Sequence, residues 1–360
     1  MYNFQQRLEQ CAALTEQTLD LYLPQQEGDH VTEAMRYSLL GGGKRLRAAL
    51  ALEFCRTLCA DQQPALPFAC ALEMVHAYSL IHDDLPCMDD DDMRRGKPSC
   101  HIAFGEAVAL LAGDGLLTKA FEVLATHSCL PPERTVQAVQ VLAQAAGHLG
   151  MIGGQRMDLE NEKMQAEIER VEQTDRLKTG ALICAAAKLG CIAAGADEER
   201  ILLAESYAQK VGLAFQITDD ILDCTGDEKT LGKPTGSDEQ NHKTTYVSVY
   251  GVEQARQVAQ QLLEQAKCDL DSMKLEEQAK VLNKIVELTY DNIKEMFMPE
   301  KKVDIKNLFI RRKNMEIDPE EARKREEGRA LLKELLGHTP LEVLAGAVLG
   351  ITVAMLMPVF

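Results

Sequence analysis

Apolar residues recur with the period of an α-helix along nearly the whole chain, and this pattern most constrains the fold. The composition agrees, because Trp is absent and aromatic residues make up only 5% of the sequence. Strands are usually rich in aromatic and β-branched residues, and no convincing run of them is present. The sequence therefore predicts an all-α protein whose helices are interrupted at glycine and proline clusters, namely Gly41–Gly43, Pro131-Pro132, Gly153-Gly154 and Gly226–Gly236.

The formal net charge of -17 comes from the first part of the chain, because residues 273–360 hold 15 basic and 15 acidic side chains. An acidic surface repels phosphate backbones, so we expect cations as partners and no nucleic acid. The 11 cysteines form no CxxC pair, which indicates reduced thiols. The N-terminus lacks the apolar run of a signal peptide, and we expect a cytoplasmic location.

Two aspartate clusters each follow a strongly apolar segment. The first, residues 83–92, contains Pro86, which disturbs a helical turn and could loop out two residues, so that Asp89 returns to the face of Asp83. The second, residues 219–223, places its outer aspartates four apart on one helical face. Carboxylate oxygens suit Mg²⁺, which completes its shell with water and phosphates. The pattern predicts two helix ends that clamp a diphosphate through Mg²⁺.

Several short motifs surround these clusters in a specific order. They are Gly43-Lys44-Arg45-Leu46-Arg47, the run from Glu73 to His82, Arg94-Arg95-Gly96, Gly153-Gly154-Gln155 with Asp158, Lys178-Thr179, and Gln216 before Asp219. Together they resemble the trans-polyprenyl diphosphate synthase family, most nearly its bacterial farnesyl diphosphate synthases, over residues 4–272. The resemblance implies an isoprenoid synthase-type bundle of antiparallel α-helices around a central cavity. It also implies a homodimer with about three Mg²⁺ ions at each cavity mouth, which Mn²⁺ could replace.

The resemblance further implies a reaction and the residues that serve it. An allylic diphosphate ionises with the help of Mg²⁺, and isopentenyl diphosphate adds to the carbocation head to tail. The matching Mg²⁺ ligands are Asp83, Asp84, Asp89, Asp219 and Asp223, with Asp220 beside them. Isopentenyl diphosphate would be held by Lys44, Arg47, His76 and Arg95. The allylic diphosphate would be held by Arg94, Lys178, Lys233 and Lys243, and Thr179 and Gln216 would face the carbocation.

Tyr78 and Ser79 bear on the length of the product. On a helix they lie about 6 to 7.5 Å below Asp83, where a growing prenyl chain would descend. In similar bacterial enzymes with a two-residue insertion, here Pro86-Cys87, an aromatic residue at the Tyr78 position accompanies the fifteen-carbon product. The resemblance therefore implies farnesyl diphosphate as the product, made from dimethylallyl or geranyl diphosphate. Geranylgeranyl diphosphate is the alternative product, and Tyr78 could also serve core packing alone.

Beyond Ser272 the chain departs from this family, and the expected last synthase helix is not recognisable. Instead, residues 276–287 and 335–346 resemble the C-terminal part of the divergent PAP2-related membrane proteins. Dense charge after Met298 predicts a linker. We therefore expect a synthase domain at residues 1–272, a helix with a charged linker at 273–318, and a C-terminal helical extension at 319–360.

Residues 343–360 carry no charge and would span about 27 Å as a helix, close to the thickness of a bilayer core. They predict contact with a membrane, and a buried core helix is the alternative. Two accounts of the tail remain open. It is a gene fusion that tethers the synthase, or a chimeric gene that yields an inactive membrane-tethered helical scaffold. A terpene cyclase would need a different second metal motif, and a non-catalytic subunit would typically lack one aspartate cluster.

Overall fold

The structure, a computed structural model, describes residues 4–161, 167–225, 244–275 and 279–295. These residues are almost entirely helical, which confirms the all-α prediction. In chain order the helices are α1 (Phe4–Tyr22), α2 (His30–Leu39), α3 (Leu46–Cys59), α4 (Leu66–Asp83), α5 (Cys100–Phe104), α6 (Glu106–His127), α7 (Pro132–Ala146), α8 (Met151–Asn161), α9 (Ile168–Asp175), α10 (Ala181–Ala193), α11 (Glu198–Thr225), α12 (Tyr246–Tyr250), α13 (Val252–Ser272) and α14 (Lys280–Glu295).

Four short elements complete this description. A 3₁₀-helix, Gln63–Ala65, precedes α4, and a π-helix, Arg176–Gly180, joins α9 to α10. Two strands, β1 (Met93–Arg94) and β2 (Lys97–Pro98), form an antiparallel hairpin in which Arg94 pairs with Lys97.

Helix α4 lies at the centre of the bundle and packs against α3, α6 and α10. It is apolar on all sides, and a helix with that composition is stable only when it is buried. Within the described ranges, one helical stretch, Gln63–Asp83, is long and apolar enough to cross a membrane, but 83% of its apolar window is buried in the bundle. The sequence thus places a core helix directly before Asp83. The tail segment 343–360 lies outside the described residues.

The glycine and proline clusters have different effects on the helices. Gly42 and Gly43, with φ of 98° and 124°, lie between α2 and α3, and α7 begins at Pro132 as predicted. The break predicted at Gly153-Gly154 is wrong, because α8 runs through both residues. A Cβ atom at Gly154 would lie 2.1 Å from the backbone nitrogen of Lys178. Glycine is needed there for close packing of α8 against the π-helix. The cluster Gly226–Gly236 lies outside the described residues.

Helix α14 closes the bundle in the region where the sequence shows no recognisable last helix. It packs against α3, α11 and α13, and its side chains Val281, Leu282 and Val286 are fully buried. The Tyr207 hydroxyl of α11 donates a hydrogen bond of 2.8 Å to the Leu282 carbonyl. A helix therefore packs against α11 beyond Ser272, within the segment 273–318 for which a helix and a charged linker are expected. The domain limits at residues 272 and 318 stay predictions.

Candidate active site

The loop after α4 brings the first aspartate cluster together. The Asp89 amide donates a hydrogen bond of 2.9 Å to the Asp83 carbonyl, and the Met88 amide donates one of 2.8 Å to the Leu85 carbonyl. Both bonds span the loop that contains Pro86. They confirm that Asp89 returns to the side of Asp83.

The surroundings of this cluster disfavour the ionised form of its carboxyl groups. Asp83 ends α4, where the helix dipole is negative. Burial raises the pKa of Asp83 to about 6; Lys178 and Arg94 lower it, whereas Asp89 and Asp84 raise it. Burial also raises the pKa of Asp84 and of Asp89. A cation bound here would relieve the repulsion between the carboxylates, so the cluster fits a metal ion.

Asp84 and Arg94 form an ion pair across this end of α4. The Arg94 Nε atom lies 2.7 Å from Oδ1 and 2.9 Å from Oδ2 of the buried Asp84 carboxylate. The sequence predicts Asp84 as a metal ligand and Arg94 as a contact to the allylic diphosphate. In the structure they bind each other, so Arg94 would have to turn away before both Asp84 oxygens could face an ion.

The π-helix places Lys178 and Thr179 beside the first cluster. Short π-helical segments are rare and often occur at functional sites. The Lys178 Nζ atom lies 2.5 Å from Oδ2 of Asp158. Burial acts to lower the pKa of Lys178, but Asp158, followed by Asp83 and Asp89, raises it overall. Lys178 is therefore a firmly charged cation that faces the aspartates, and Thr179 is buried next to it.

Asp158 was not among the predicted site residues. It lies on α8 four residues after Gly154, so both occupy the face of α8 that meets the π-helix. The four-residue spacing of Gly154 and Asp158 was the feature of the sequence that could have indicated this role. Gln155, on the same helix, has a buried Nε2 without a hydrogen-bond partner among the described residues.

A group of basic side chains surrounds His76, which lies near the middle of α4. Burial lowers the pKa of His76 well below its usual value, and the guanidinium groups of Arg47 and Arg95 lower it further. Burial also lowers the pKa of Arg47, whose Nε has no hydrogen-bond partner in the described part of the chain. Such a concentration of positive charge beside a neutral imidazole suits an anion.

The loop between α2 and α3 shapes this basic group. Arg95 donates a hydrogen bond to the Gly42 carbonyl. A Cβ at Gly43 would lie 3.0 Å from Cζ of Arg95, so the guanidinium packs directly on the glycine backbone. Lys44, the remaining predicted contact to isopentenyl diphosphate, follows Gly43 and is half-buried. The structure therefore assembles the predicted residues at one end of α3.

Glu73 and Arg45 support this end of α3, and neither was predicted as a site residue. Glu73 accepts a hydrogen bond of 3.2 Å from the Ala48 amide, in the first turn of α3, and lies 3.4 Å from Arg45 Nη1. Both side chains are buried. A glutamate within an apolar helix requires such partners, and that requirement was the signal in the sequence. The pair fixes the helix start that carries Arg47.

The second cluster lies on α11, against which the π-helix packs. Asp220 accepts a hydrogen bond of 3.0 Å from the Tyr246 amide, whereas Gln216 and Asp219 are half-buried. The Asp223 side chain and the predicted residues Lys233 and Lys243 lie outside the described part of the structure.

Among the described residues, no three His, Cys, Asp or Glu side chains form a ready metal cage. Mg²⁺ keeps several waters and is usually held by one or two carboxylates plus substrate phosphates. The Asp83 and Asp89 carboxylates meet that requirement.

Tyr78 and Ser79 differ in their surroundings. The Tyr78 ring is buried and stands edge-on to the His82 ring, with centroids 5.7 Å apart. Its hydroxyl is buried without a hydrogen-bond partner in the described residues, and burial followed by Asp83 raises the pKa of Tyr78 to about 12. The Ser79 hydroxyl donates to the His76 carbonyl at 2.9 Å. The role of Tyr78 as a cavity floor stays a prediction.

Comparison with known proteins agrees with this geometry. The chain is 44% identical to farnesyl diphosphate synthase of Escherichia coli over 277 residues, which cover 75% of this chain and 92% of the relative. It is also 44% identical over 265 residues to the large subunit 1 of the chloroplastic heterodimeric geranylgeranyl pyrophosphate synthase of Arabidopsis thaliana, covering 72% and 71% of the two chains. A crystal structure of an FPP/GFPP synthase from Zymomonas mobilis matches with a TM-score of 0.70 and 37% identity, over 79% of this chain and 97% of that one.

Two family models match different parts of the chain. The Divergent PAP2 family matches residues 272–353, in agreement with the resemblance of the tail. The Polyprenyl synthetase family matches residues 28–285, and the two matches overlap at residues 272–285 in and before α14. Over most of its length, the chain belongs to the polyprenyl synthetase family.

Proposed function

We propose that the protein is a Mg²⁺-dependent farnesyl diphosphate synthase that condenses dimethylallyl and geranyl diphosphates with isopentenyl diphosphate. The observation that carries the proposal is the grouping of Asp83 and Asp89 beside Lys178. These carboxylates and a charged lysine match a diphosphate that is bound through metal ions. The similarity to the Escherichia coli enzyme supports the same activity.

Each predicted site residue that the structure describes would bind or orient a substrate in this reaction. Arg47, Arg95 and Lys44 hold the diphosphate of isopentenyl diphosphate, and His76, being neutral, donates a hydrogen bond without adding charge. Lys178 and Arg94 contact the allylic diphosphate once Arg94 leaves Asp84. Oxygen atoms of Thr179 and Gln216 face the cation.

Asp83 and Asp89 would hold Mg²⁺ on one wall, and Asp219 and Asp223 would hold it on the other. The metal would supply positive charge that stabilises the departing diphosphate. Lys178 and Arg94 act in the same sense, because their charges lie where negative charge develops. The protein therefore needs no nucleophile of its own for this step.

Product length is proposed from Tyr78, whose buried ring lies one turn below the aspartates. Geranylgeranyl diphosphate is the second candidate, because relatives that make it are equally similar in sequence. The full-length protein is to be incubated with isopentenyl and dimethylallyl diphosphates and Mg²⁺, and the products separated by chromatography. A fifteen-carbon diphosphate supports the proposal, and a twenty-carbon product supports the second candidate.

Matched controls separate the other outcomes. Asp89→Asn removes a predicted metal ligand, whereas Asp61→Asn changes an exposed aspartate that follows the C-terminal end of α3. Product formation is expected to fall with the first variant and not with the second. A cyclic hydrocarbon would identify a terpene cyclase, and a folded protein that forms no product would identify the scaffold.

We also propose a homodimer. Ile102 on α5 and Leu110 and Leu111 on α6 are each about half exposed, and exposed apolar surface that forms a patch marks protein contacts. Sedimentation velocity of the wild type and of Leu111→Asp tests this. A dimer in the wild type and a monomer in the variant are expected, and a wild-type monomer would contradict the proposal.

For the tail, we propose a gene fusion whose residues 343–360 contact membranes while the synthase remains cytoplasmic. The absence of charge in this segment supports the proposal. Flotation with liposomes measures this contact. It compares the full chain with a variant in which two apolar residues of the segment 343–360 are replaced by aspartate. Amplification of the gene across the codons for residues 271–278 tests the fusion, and an interruption there would exclude it.

A further inference from the structure

Asp220 belongs to the second aspartate cluster, but its carboxylate serves the polypeptide backbone. Its Oδ2 atom accepts a hydrogen bond of 3.0 Å from the amide of Tyr246, the first residue of α12. Amides in the first turn of a helix have no acceptor within that helix. Thr245 and Ser248 form a capping box that satisfies two neighbouring amides. Asp220 therefore completes the start of α12 from a different helix.

The side chain of Tyr246 extends from this start of α12 toward another wall of the site. Its ring is buried. Burial, followed by the adjacent Glu172 carboxylate of α9, raises the pKa of the Tyr246 phenol. Helix α9 continues directly into the π-helix that carries Lys178. Tyr246 thus lies between α11, which bears the second cluster, and the segment that bears Lys178.

We propose that Asp220 is a positioning residue that, through Tyr246, fixes the α11 wall against the wall that carries Lys178. Asp220 therefore differs in role from Asp219, its neighbour in the cluster, which is a predicted metal ligand. A metal ligand needs its oxygens directed at the ion, whereas Oδ2 of Asp220 is directed at a backbone N–H. Only the kinetic consequence rests on the proposed function, because the hydrogen bond itself requires no substrate.

The first experiment measures the hydrogen bond directly. Hydrogen exchange at the Tyr246 amide is to be compared in the metal-free wild type, Asp220→Ala and Asp220→Asn. The alanine variant is expected to exchange at least about 10-fold faster, because the amide loses its acceptor. The asparagine variant retains an acceptor oxygen and is expected to stay within about 3-fold of the wild type. Equal exchange in all three proteins would overturn the proposal.

The second experiment separates positioning from metal binding, with Asp219→Asn as the comparator. Titration with Mg²⁺, followed by thermal stabilisation of the protein, gives a metal affinity without turnover. Asp219→Asn is expected to weaken that affinity at least about 10-fold, because it removes a charged oxygen ligand, and Asp220→Asn less than about 2-fold, because asparagine keeps an acceptor for the Tyr246 amide. If Asp220→Asn weakens the affinity as much as Asp219→Asn does, Asp220 is a ligand and the proposal is wrong.

Kinetics then connect the hydrogen bond to the reaction. Loss of a charged hydrogen bond that orients the site is expected to lower kcat/KM for the allylic diphosphate about 10-fold in Asp220→Ala and about 2-fold in Asp220→Asn. Equal losses in the two variants would contradict positioning. If the wild type forms no prenyl product while the exchange results hold, the proposed function fails and the role of Asp220 stands.

Discussion

His76 illustrates how the protonation of one residue depends on its neighbours. The folded protein keeps this imidazole neutral, because it is buried and faces Arg47 and Arg95, whereas the unfolded chain binds a proton below about pH 6.5. Acid therefore favours the unfolded state, and the stability that this group contributes is lost as the pH falls. From about pH 6.5 downward, the wild type should lose about 1.4 kcal/mol per pH unit through His76. Urea unfolding at several pH values measures this slope.

The matched variants for that slope are His76→Gln and His30→Gln. Glutamine does not titrate, so His76→Gln should flatten the pH dependence of the unfolding free energy. His30 is exposed at the start of α2, where its Nδ1 lies 3.0 Å from Glu33 Oε2, and its replacement removes a histidine without altering the buried group around His76. An unchanged slope in His76→Gln would show that other groups cause the acid sensitivity.

Tyr78 makes a second prediction at the scale of the residue. If its ring blocks the cavity, Tyr78→Ala should shift the product toward twenty carbons, because a void of a ring's size opens below the aspartates. Tyr78→Phe keeps the ring and removes a hydroxyl that has no hydrogen-bond partner in the described residues. The phenylalanine variant should keep the wild-type product and lose no stability. Chromatography of the products tests both, and an unchanged product from Tyr78→Ala would assign Tyr78 to core packing alone.

At the scale of elements, the contact between α8 and the π-helix decides where Lys178 stands. A Cβ at Gly154 would lie 2.1 Å from the Lys178 nitrogen, a distance at which backbone atoms must separate. Gly154→Ala should therefore cost about 2 kcal/mol or more and raise the KM for the allylic diphosphate. Urea unfolding and steady-state kinetics measure the two effects.

Gly212, in the interior of α11, provides the control for that glycine. An added Cβ there would have its nearest neighbour, the Ile183 side chain, at 3.8 Å, which is ordinary contact. Gly212→Ala should stabilise the protein by about 0.5 to 1 kcal/mol through helix propensity. If both alanine variants behave alike, close packing at Gly154 is not what positions Lys178.

At the scale of the whole molecule, α14 belongs to the same packed core as the helices that carry the candidate site. Val286 is fully buried, whereas the next residue, Glu287, is exposed. Val286→Asp should destabilise the entire bundle by about 3 kcal/mol or more, because it buries an unpaired charge. Glu287→Ala should change stability by less than about 0.5 kcal/mol. Calorimetry tests both, and an unchanged melting transition in Val286→Asp would show that α14 is only appended.

Much of this architecture could be predicted from local pattern. The apolar run of α4 requires burial, and the aspartates that follow it must then end a core helix. Pro86 interrupts the helical hydrogen bonds, which correctly indicated the return of Asp89. Sequence order was also enough to recognise the family. These features depend on neighbours in the chain, and the sequence displays such neighbours directly.

The remaining features required contacts between distant parts of the chain. Asp158 with Lys178, Asp84 with Arg94, and Asp220 with Tyr246 are pairs from separate elements. Gly153-Gly154 looked like a helix break because glycine weakens an isolated helix, but close packing against the π-helix favours glycine there. The sequence by itself determined that the fold is helical and where the carboxylates cluster. Only the tertiary structure decided which charge each carboxylate meets, because helix periodicity specifies a buried face and leaves its partner open.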